Sequence, residues 1–545
     1  MSKTKVQLPP SGIIIRKSGK YPYVYKVVET YRTEGGQPTN KRVSIGKLDK
    51  ASGLLIPNET YWLYYGESTT GYDCRPSDNR TVVDEMVVDV TYKSVRAIGA
   101  AYLVKSIIDR LGITKLLDDV FGQIKSKLVL TAAIYMTCRG NIFERVSDWC
   151  EGYAFDEGPL TSSSATRLFS SISHDERMEF FKGWIPMNSK QEYLAYDVTS
   201  FSTYATAIND AEWGYNRDKE SLQQINLGCY IAQDSGIPLF YVTYPGSITD
   251  STHLEYMMEY NDTLGIDGGC FVMDLGFCKT HNINYMHSKR KNYICKADVN
   301  VTAIAAAIKS VRNTISSMEN LTSQGAYAIS VRSRFYGETT NLHIYFDEGS
   351  VDAQKKSLYR TVNADDEMLS KLEQLTKKDA KRYMRYFDIK LEENGKFTYA
   401  KNYKKIDELA GNSGFFCLMT NTVIGSDDSL RIYRRKDVVE KGFDELKNHI
   451  DMKRMRTHNS DTTDGKMFCA FISLIAVSKL SSMLSDFMKK RGMSKDGLIS
   501  EMEKIKIITL NDGVRLMNPL TKTQRTILEA CGLSVDNIKS SVYAV

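Results

Sequence analysis

The sequence lacks the motifs of several large function classes. Its ten cysteines form no CxxC pair and most lie in apolar runs, which excludes a zinc ribbon or disulfide framework and favours reduced thiols in the cytoplasm. It has no histidine cluster, nucleophile elbow, Walker loop or dinucleotide fingerprint. The most apolar segment, Met467–Val477, is too short to span a membrane and is predicted to be a core helix. We also expect no signal peptide.

Charge of both signs is present, but it is unevenly distributed. The 545 residues carry a formal net charge of +6, and residues 1–50 hold eleven Lys and Arg against three Asp and Glu. Basic residues alternate there with tyrosines in three strand-like runs separated by glycine-containing turns. We therefore predict an N-terminal β-meander, which either binds a polyanion such as a DNA backbone or is a plain sheet with tyrosines on its surface.

Hydrophobic periodicity divides the rest of the chain, which is too long for one core. Short helices follow from about Ser94, and three strands, a helix and a further strand then predict an α/β, RNase H-like mixed sheet with flanking helices. A β-rich insertion interrupts this sheet. The predicted domains are a basic β-rich DNA-binding module at 1–75, a helical DNA-binding or dimerisation region at 85–188, the two parts of the core at 189–300 and 411–490, the insertion at 301–410, and a helical tail at 491–545.

Two aspartates are predicted to end apolar strands. Asp197 follows the run YLAY and Asp274 follows CFVM. Neighbouring strands of a sheet bring their carboxyl ends together, so these carboxylates can meet, and a helix that crosses the same edge can add Glu440. Three carboxylates suit Mg²⁺ or Mn²⁺, and a pair of such ions activates a water or a 3′-hydroxyl for displacement at phosphorus. The alternative is that each aspartate is an ordinary turn or cap residue.

The segment from Tyr433 to Asn448 is predicted to be one helix. Tyr433, Lys436, Glu440 and Lys447 then fall within a wedge of about 60°. The lysines would neutralise phosphate charge, and the tyrosine would hydrogen-bond or stack at a strand end. The alternative is that Lys436 and Glu440 form an ordinary ion pair four residues apart on a solvated helix.

Three segments resemble the active-site boxes of bacterial insertion-sequence transposases of the Asp-Asp-Glu class. They are YDVTSFS, VMDLGF and Y-x2-K-x3-E-x6-K, and the third resembles the Tyr-Arg-Glu-Lys signature of one subgroup. The resemblance implies that Asp197, Asp274 and Glu440 are the catalytic residues and hold the metal. It also implies that the DNA phosphates are bound by the signature positions and a neighbouring arginine, namely Tyr433, Arg435, Lys436 and Lys447.

One signature position differs from the subgroup pattern. Lys436 stands where the signature has arginine, which keeps the charge but loses bidentate contact with a phosphate. Arg435, next to it, is the candidate substitute.

The resemblance implies cut-and-paste transposition in the bacterial cytoplasm. It implies two Mg²⁺ (or Mn²⁺) ions, double-stranded transposon ends and target DNA as partners, and a homodimer on paired ends. Two other functions remain open from the residues alone. One is a host-adopted descendant that binds DNA without cutting it, and the other is an unrelated hydrolase that uses Asp197 and Asp274 as an acid/base pair.

Overall fold

The computed structural model describes residues 5–18, 21–32, 37–65, 92–153, 158–188, 193–266 and 269–543. The chain forms two compact units, Met1–Tyr92 and Lys93–Val545. The predicted boundary between the N-terminal module and the helical region, at 75–85, lies outside the described residues, as does the start of the predicted core at 189–192.

In its described residues, the first unit is a small antiparallel sheet followed by a helix. Side chains of Val24, Ile45, Leu55 and Tyr61 fill its core. The predicted three-stranded meander is confirmed, with a short fourth strand added at its edge. Its elements are β1 (Ile13–Ser18), β2 (Tyr21–Arg32), β3 (Pro38–Leu48), β4 (Leu55–Pro57) and helix α1 (Glu59–Tyr65).

The second unit begins with a strand and then becomes helical, as the change of periodicity near Ser94 predicts. Gly122, with φ of +70°, kinks the longest of these helices, and Thr161 closes a capping box with Ser164 at another. The elements are β5 (Tyr92–Ala97), α2 (Gly99–Arg110), α3 (Ile113–Arg139), α4 (Val146–Gly152), α5 (Ser162–Ser171) and α6 (His174–Asn188).

The predicted core follows as an antiparallel three-stranded run, a helix and two parallel strands. The turn at Ser235–Gly236 joins the second and third strands as a hairpin, as predicted, and Gly236 adopts a φ of +69°. The elements are β6 (Tyr193–Thr203), β7 (Gln223–Ala232), β8 (Pro238–Pro245), α7 (Asp250–Leu264), β9 (Cys270–Met273), α8 (Thr280–Ser288) and β10 (Asn292–Ala297).

The segment predicted as an insertion differs from the prediction, because its first two strands extend the central sheet. It comprises α9 (Thr302–Val311), β11 (Tyr327–Phe335), β12 (Glu338–Phe346), α10 (Val351–Ser370), α11 (Lys377–Tyr383), β13 (Phe387–Leu391), β14 (Phe397–Lys401) and α12 (Tyr403–Gly411), and β15 (Phe415–Thr420) follows. The β12 strand pairs with β15. Within this segment, the part from α10 to α12 has an apolar cluster of its own.

The central sheet therefore has the order β11-β12-β15-β10-β9-β6-β7-β8. The β6, β9 and β10 strands are parallel, and the other pairs are antiparallel. The run β8-β7-β6-β9-β10 has the strand order and directions of an RNase H-like core. The predicted mixed α/β fold with flanking helices is confirmed.

A long apolar helix packs between the central sheet and the N-terminal helices of the second unit. It is α15 (Ser460–Arg491), which follows α13 (Ser426–Arg434) and α14 (Asp437–Asp444) and contacts α3 and α5. By length and composition it is apolar enough to cross a membrane, but 72 % of its most apolar 18-residue window is buried inside the protein. That burial agrees with the predicted core helix at Met467–Val477.

The C-terminal segment differs from the purely helical tail that the sequence predicts. Strand β16 pairs with β17 and, across the unit, with β5. The prediction missed these strands because each is short and lies between helices. The elements are α16 (Lys495–Glu503), β16 (Lys506–Leu510), β17 (Arg515–Met517), α17 (Lys522–Ala530) and α18 (Val535–Tyr543).

Candidate active site

Asp197 lies on β6, and Asp274 directly follows β9, the parallel strand next to it. In the ladder between β6 and β9, Ala195 pairs with Val272. Each aspartate follows its paired residue by two positions, so the same register places the two opposite each other with their side chains on one face. The charge of Asp274 contributes to raising the pKa of Asp197, so the carboxylates interact. The predicted meeting of these two residues is therefore supported by the strand register.

The strand carrying Asp197 does not end there, which corrects the sequence prediction. Asp197 is in the middle of β6, which runs on because Thr203 still pairs with Gln223 of β7. The polar residues after Asp197 resemble a strand end, but Thr199 and Ser200 are buried in the sheet. Of the two aspartates, Asp274 alone follows the last residue of its strand.

Asp274 is held in place by two hydrogen bonds to one of its oxygens. The amide of Leu275 donates to Oδ1 at 2.8 Å, which caps the short 3₁₀ turn Leu275–Phe277. The hydroxyl of Tyr433 donates to the same atom at 2.9 Å. Burial raises the pKa of Tyr433 well above its ordinary value, so it acts as a neutral donor. Both hydrogen bonds go to Oδ1, and among the described residues none is made to Oδ2 of Asp274.

The segment Tyr433–Asn448 is not the single helix that the sequence predicts. Helix α13 ends at Arg434 and α14 begins at Asp437. Between them the amides of Arg435 and Lys436 bond to carbonyls three residues back, at 3.2 and 3.0 Å, which tightens the chain into a turn. After α14 the chain forms a π-helical turn, Glu445–His449. The four charged or aromatic positions therefore do not form one continuous wedge.

Glycine allows α14 to lie close to the sheet. A Cβ atom on Gly442 would be 2.5 Å from Cδ1 of Ile231 on β7. A larger residue would require the end of the Ile231 side chain to move. Gly442 thus lets the helix that carries Glu440 pack closely on β7.

Lys436 lies between the first and third carboxylates. Its Nζ is 3.5 Å from Oδ2 of Asp197 and 3.4 Å from Oε1 of Glu440. The separation of those two carboxylate oxygens therefore cannot exceed the sum of their distances from Nζ. Its side chain is 5 % exposed, whereas that of Glu440 is 66 % exposed. Across the parts of the chain that the structure describes, no three His, Cys, Asp or Glu side chains converge closely enough to hold an ion as they stand.

The two aspartates differ in their electrostatic environment. Burial raises the pKa of Asp197, and the opposing effects of Lys436 and Arg217 do not cancel it. Burial also acts to raise the pKa of Asp274, but the Leu275 amide, Lys436 and the Tyr433 hydroxyl outweigh it, and the net pKa is lowered. The folded protein thus holds a proton on Asp197 more tightly, and on Asp274 less tightly, than the unfolded chain does.

These opposite shifts predict opposite effects of charge removal on stability. At pH 7 Asp197→Asn should raise the midpoint of thermal unfolding by a few degrees, because the charged form of Asp197 is disfavoured in the fold. That gain should shrink as the pH falls through the raised pKa towards the ordinary value of 3.8. Asp274→Asn should lower the midpoint at pH 7, and its loss should vanish only as the pH falls through the lowered pKa. Calorimetry of both variants between pH 4 and pH 7 measures the two signs, the shrinking gain of Asp197→Asn and the persistent loss of Asp274→Asn, and equal signs would contradict the prediction.

Arg217 is a member of the site that the sequence did not reveal. Its guanidinium lies 3.7 Å from Oδ1 of Asp197 and donates to Asp250 at 2.6 Å. The hydroxyl of Tyr244 also donates a hydrogen bond to Asp250 at 2.9 Å, and this bond helps to hold the Asp250 carboxylate in place beside Arg217. Arg217 comes from the loop between β6 and β7, far in sequence from the segment Tyr433–Asn448. No spacing pattern marks it, because only the sheet brings it to Asp197.

Two other predicted phosphate-binding residues, Arg435 and Lys447, are paired with acidic residues outside the three carboxylates. Arg435 forms an ion pair with Asp234 and donates to the carbonyl of Gln233 at 3.2 Å. Lys447 forms an ion pair with Asp218 at 2.7 Å. Both are held by acidic partners, so a phosphate would have to compete with these partners.

The donor set fits a divalent metal ion. Asp197, Asp274 and Glu440 offer only carboxylate oxygens, which Mg²⁺ and Mn²⁺ prefer. Asp197 retains a raised pKa although two protein cations face it, so its buried charge is incompletely compensated. Glu440 is largely exposed and has the rotational freedom to turn towards the aspartates. These residues would hold the ion.

An RNase H-like sheet, with two aspartates on adjacent strands and a glutamate from a later helix, defines the class of Asp-Asp-Glu enzymes. The sequence model of the family described as "Transposase DDE domain" matches residues 188–476, which is more than half of the chain. The chain belongs to this family of transposase domains. The resemblance to an Asp-Asp-Glu transposase is thereby confirmed.

The other comparisons add little. The search of curated proteins found no match. Among solved structures, the chain is similar to a piggyBac transposase in a synaptic complex with hairpin DNA, with 10 % identity, a TM-score of 0.33, and coverage of 79 % of this chain and 80 % of that one. A likeness at this level carries no functional argument.

Proposed function

We propose that the protein binds the terminal inverted repeats of an insertion sequence and catalyses metal-dependent DNA strand cleavage and strand transfer by a cut-and-paste route. The observation that carries the proposal is the strand register that sets Asp197 opposite Asp274, with Glu440 linked to them through Lys436. Membership of the transposase family supports DNA as the substrate. We place the enzyme in the cytoplasm, where its free thiols stay reduced.

The three carboxylates have separate tasks in this proposal. Asp197 and Asp274 hold the metal from the sheet, and Glu440 closes the site from its helix. Bound Mg²⁺ or Mn²⁺, in one or two ions, supplies activation of the attacking oxygen and stabilisation of the leaving oxygen. Tyr433 orients Asp274 through its 2.9 Å hydrogen bond.

Arg217 is the cation best placed to meet a DNA phosphate at the site. Its side chain is 33 % exposed, and Asp250 fixes its direction. Arginine binds a phosphate with two parallel hydrogen bonds, which Lys436 cannot do. Arg217 thus compensates for the missing arginine of the signature. Lys447 and Arg435 contact phosphates farther along the DNA after exchanging their acidic partners.

The N-terminal unit supplies a second DNA contact. On its sheet, Lys47 lies over the ring of Tyr23 and Arg42 over that of Tyr25, both at 5.4 Å from the ring centre. Cations and aromatic rings on one sheet can hold a phosphate backbone and stack on bases. We propose that this unit holds the transposon end, and that two protomers act on paired ends.

The proposal is tested by incubating the full-length protein with DNA that carries the inverted repeats flanking its gene. We expect Mg²⁺-dependent nicks at the repeat ends, absent with a scrambled end, with EDTA, or with the Asp197→Ala variant. Tight binding of the repeats without nicking would instead identify a non-cleaving DNA-binding descendant. Activity that persists in EDTA would point to a hydrolase without a metal and would contradict the proposal.

A further inference from the structure

Lys436 is a buried cation shared between two carboxylates. Its Nζ lies 3.5 Å from Asp197 and 3.4 Å from Glu440. Charge-assisted hydrogen bonds between such groups are usually about 2.7–2.9 Å long, so neither contact is tight. An ammonium that is held loosely by two carboxylates can be displaced from both when a metal ion takes its place between them.

The turn between α13 and α14 directs Lys436 to this place. Its amide bonds to the carbonyl of Tyr433 at 3.0 Å, and its own carbonyl accepts from Val439 at 3.0 Å. The backbone is therefore fixed on both sides, and only the four-carbon side chain can move. The ammonium also acts to lower the pKa of Asp274, so its charge reaches both aspartates.

A lysine that clamped a DNA phosphate would present its ammonium to solvent. The side chain of Lys436 is instead 5 % exposed, compared with 33 % for Arg217 in the same site. Its charge faces the oxygens that a metal ion would need. The ammonium of Lys436 and a bound metal ion would then repel each other, because both would contact the same carboxylate oxygens.

We propose that Lys436 is a positioning residue whose ammonium competes with a divalent cation for Asp197 and Glu440. In this way it sets the metal affinity of the site. The inference rests on the proposed function, because it assumes that these carboxylates are the metal ligands. Lys436 partly compensates the charge of the buried Asp197 until the ion binds, and it makes binding weaker than the carboxylates alone would allow.

Isothermal titration of the full-length protein with Mn²⁺ tests this role. Lys436→Met and Lys436→Gln both remove the charge, and we expect each to bind Mn²⁺ about tenfold more tightly than the wild type, the size expected for removing one screened charge at this range. Lys436→Arg should stay within about twofold of the wild type, because it keeps the charge. Lys441→Met is the matched control, since Lys441 is on α14, directly after the turn that holds Lys436, but is 73 % exposed and pairs with Asp437.

A second readout separates this role from simple packing. Without metal, Lys436→Met should unfold at a lower temperature than the wild type, since Asp197 loses a partner. Saturating Mn²⁺ should raise its midpoint by more than it raises that of the wild type. Unchanged or weaker Mn²⁺ binding in both Lys436→Met and Lys436→Gln would overturn the inference.

The carboxylate variants distinguish the failure of this inference from that of the proposed function. If Asp274→Asn and Glu440→Gln lose Mn²⁺ binding while the Lys436 variants show no gain, only the competition is wrong. If Asp274→Asn and Glu440→Gln bind Mn²⁺ as the wild type does, the ion binds elsewhere. The proposed metal site then fails and the inference fails with it.

Discussion

Glu440→Gln is expected to lower metal-dependent strand cleavage by about a thousandfold or more, which corresponds to about 4 kcal/mol of lost transition-state stabilisation. The side chain of Glu440 is 66 % exposed and its one described ion pair is with Lys436. The substitution should therefore leave the free energy of unfolding nearly unchanged. Single-turnover cleavage of the repeat DNA in Mg²⁺, together with urea unfolding, measures both effects.

Asp437→Asn provides the control on the same helix. Asp437 is 55 % exposed and forms an ion pair with Lys441, one turn further along α14. It should cleave DNA at the wild-type rate. Equal losses in the two variants would show that α14 itself is disturbed, and full activity in Glu440→Gln would remove Glu440 from the catalytic set.

Gly465→Ala is expected to destabilise the second unit by about 3 kcal/mol or more, the upper range for overpacking. The added Cβ would lie 2.0 Å from the carbonyl oxygen of Phe169, where α15 crosses α5. The obstructing atom is backbone, so a rotamer change cannot relieve the clash. Urea unfolding followed by circular dichroism gives the change in the free energy of unfolding.

The same glycine-to-alanine substitution at Gly152 is not expected to destabilise the protein. Gly152 is the last residue of α4, and in the described part of the chain no atom apart from its sequence neighbours and the backbone of its own helix lies within 4 Å of the position of its Cβ. Alanine there should leave the stability unchanged or raise it by up to about 1 kcal/mol, because alanine favours helix. A stable Gly465→Ala variant would mean that α15 and α5 do not pack as closely as the structure has them.

The carboxylate pair was predictable because it depends on strand order and register alone. Apolar strands preceding Asp197 and Asp274 fixed which residues enter the sheet, and parallel pairing then aligned the two aspartates. The continuation of the strand past Asp197 was not predictable, since buried polar residues such as Thr199 look like loop residues in the sequence. Helical periodicity likewise gave no sign of the turn at Lys436, because both flanking segments favour helix throughout.

The contacts of the basic residues around the site depend on tertiary structure, so spacing patterns in the sequence could not predict them. Arg217 reaches Asp197 from a loop, and Arg435 and Lys447 find acidic partners that are more than 200 residues away in sequence. The extension of the sheet by β11 and β12 was missed for the same reason. A β-rich run has the same local pattern whether it forms its own sheet or joins another.

We propose above that Asp197, Asp274 and Glu440 share a divalent metal ion. Crystals of the protein grown with Mn²⁺ and measured at the manganese absorption edge test it most directly. The predicted result is an anomalous peak about 2.1 Å from carboxylate oxygens of Asp197 and Asp274, with Glu440 turned towards it and Lys436 displaced. An anomalous map with no peak at this pair, or with its only peaks elsewhere on the chain, would contradict the claim.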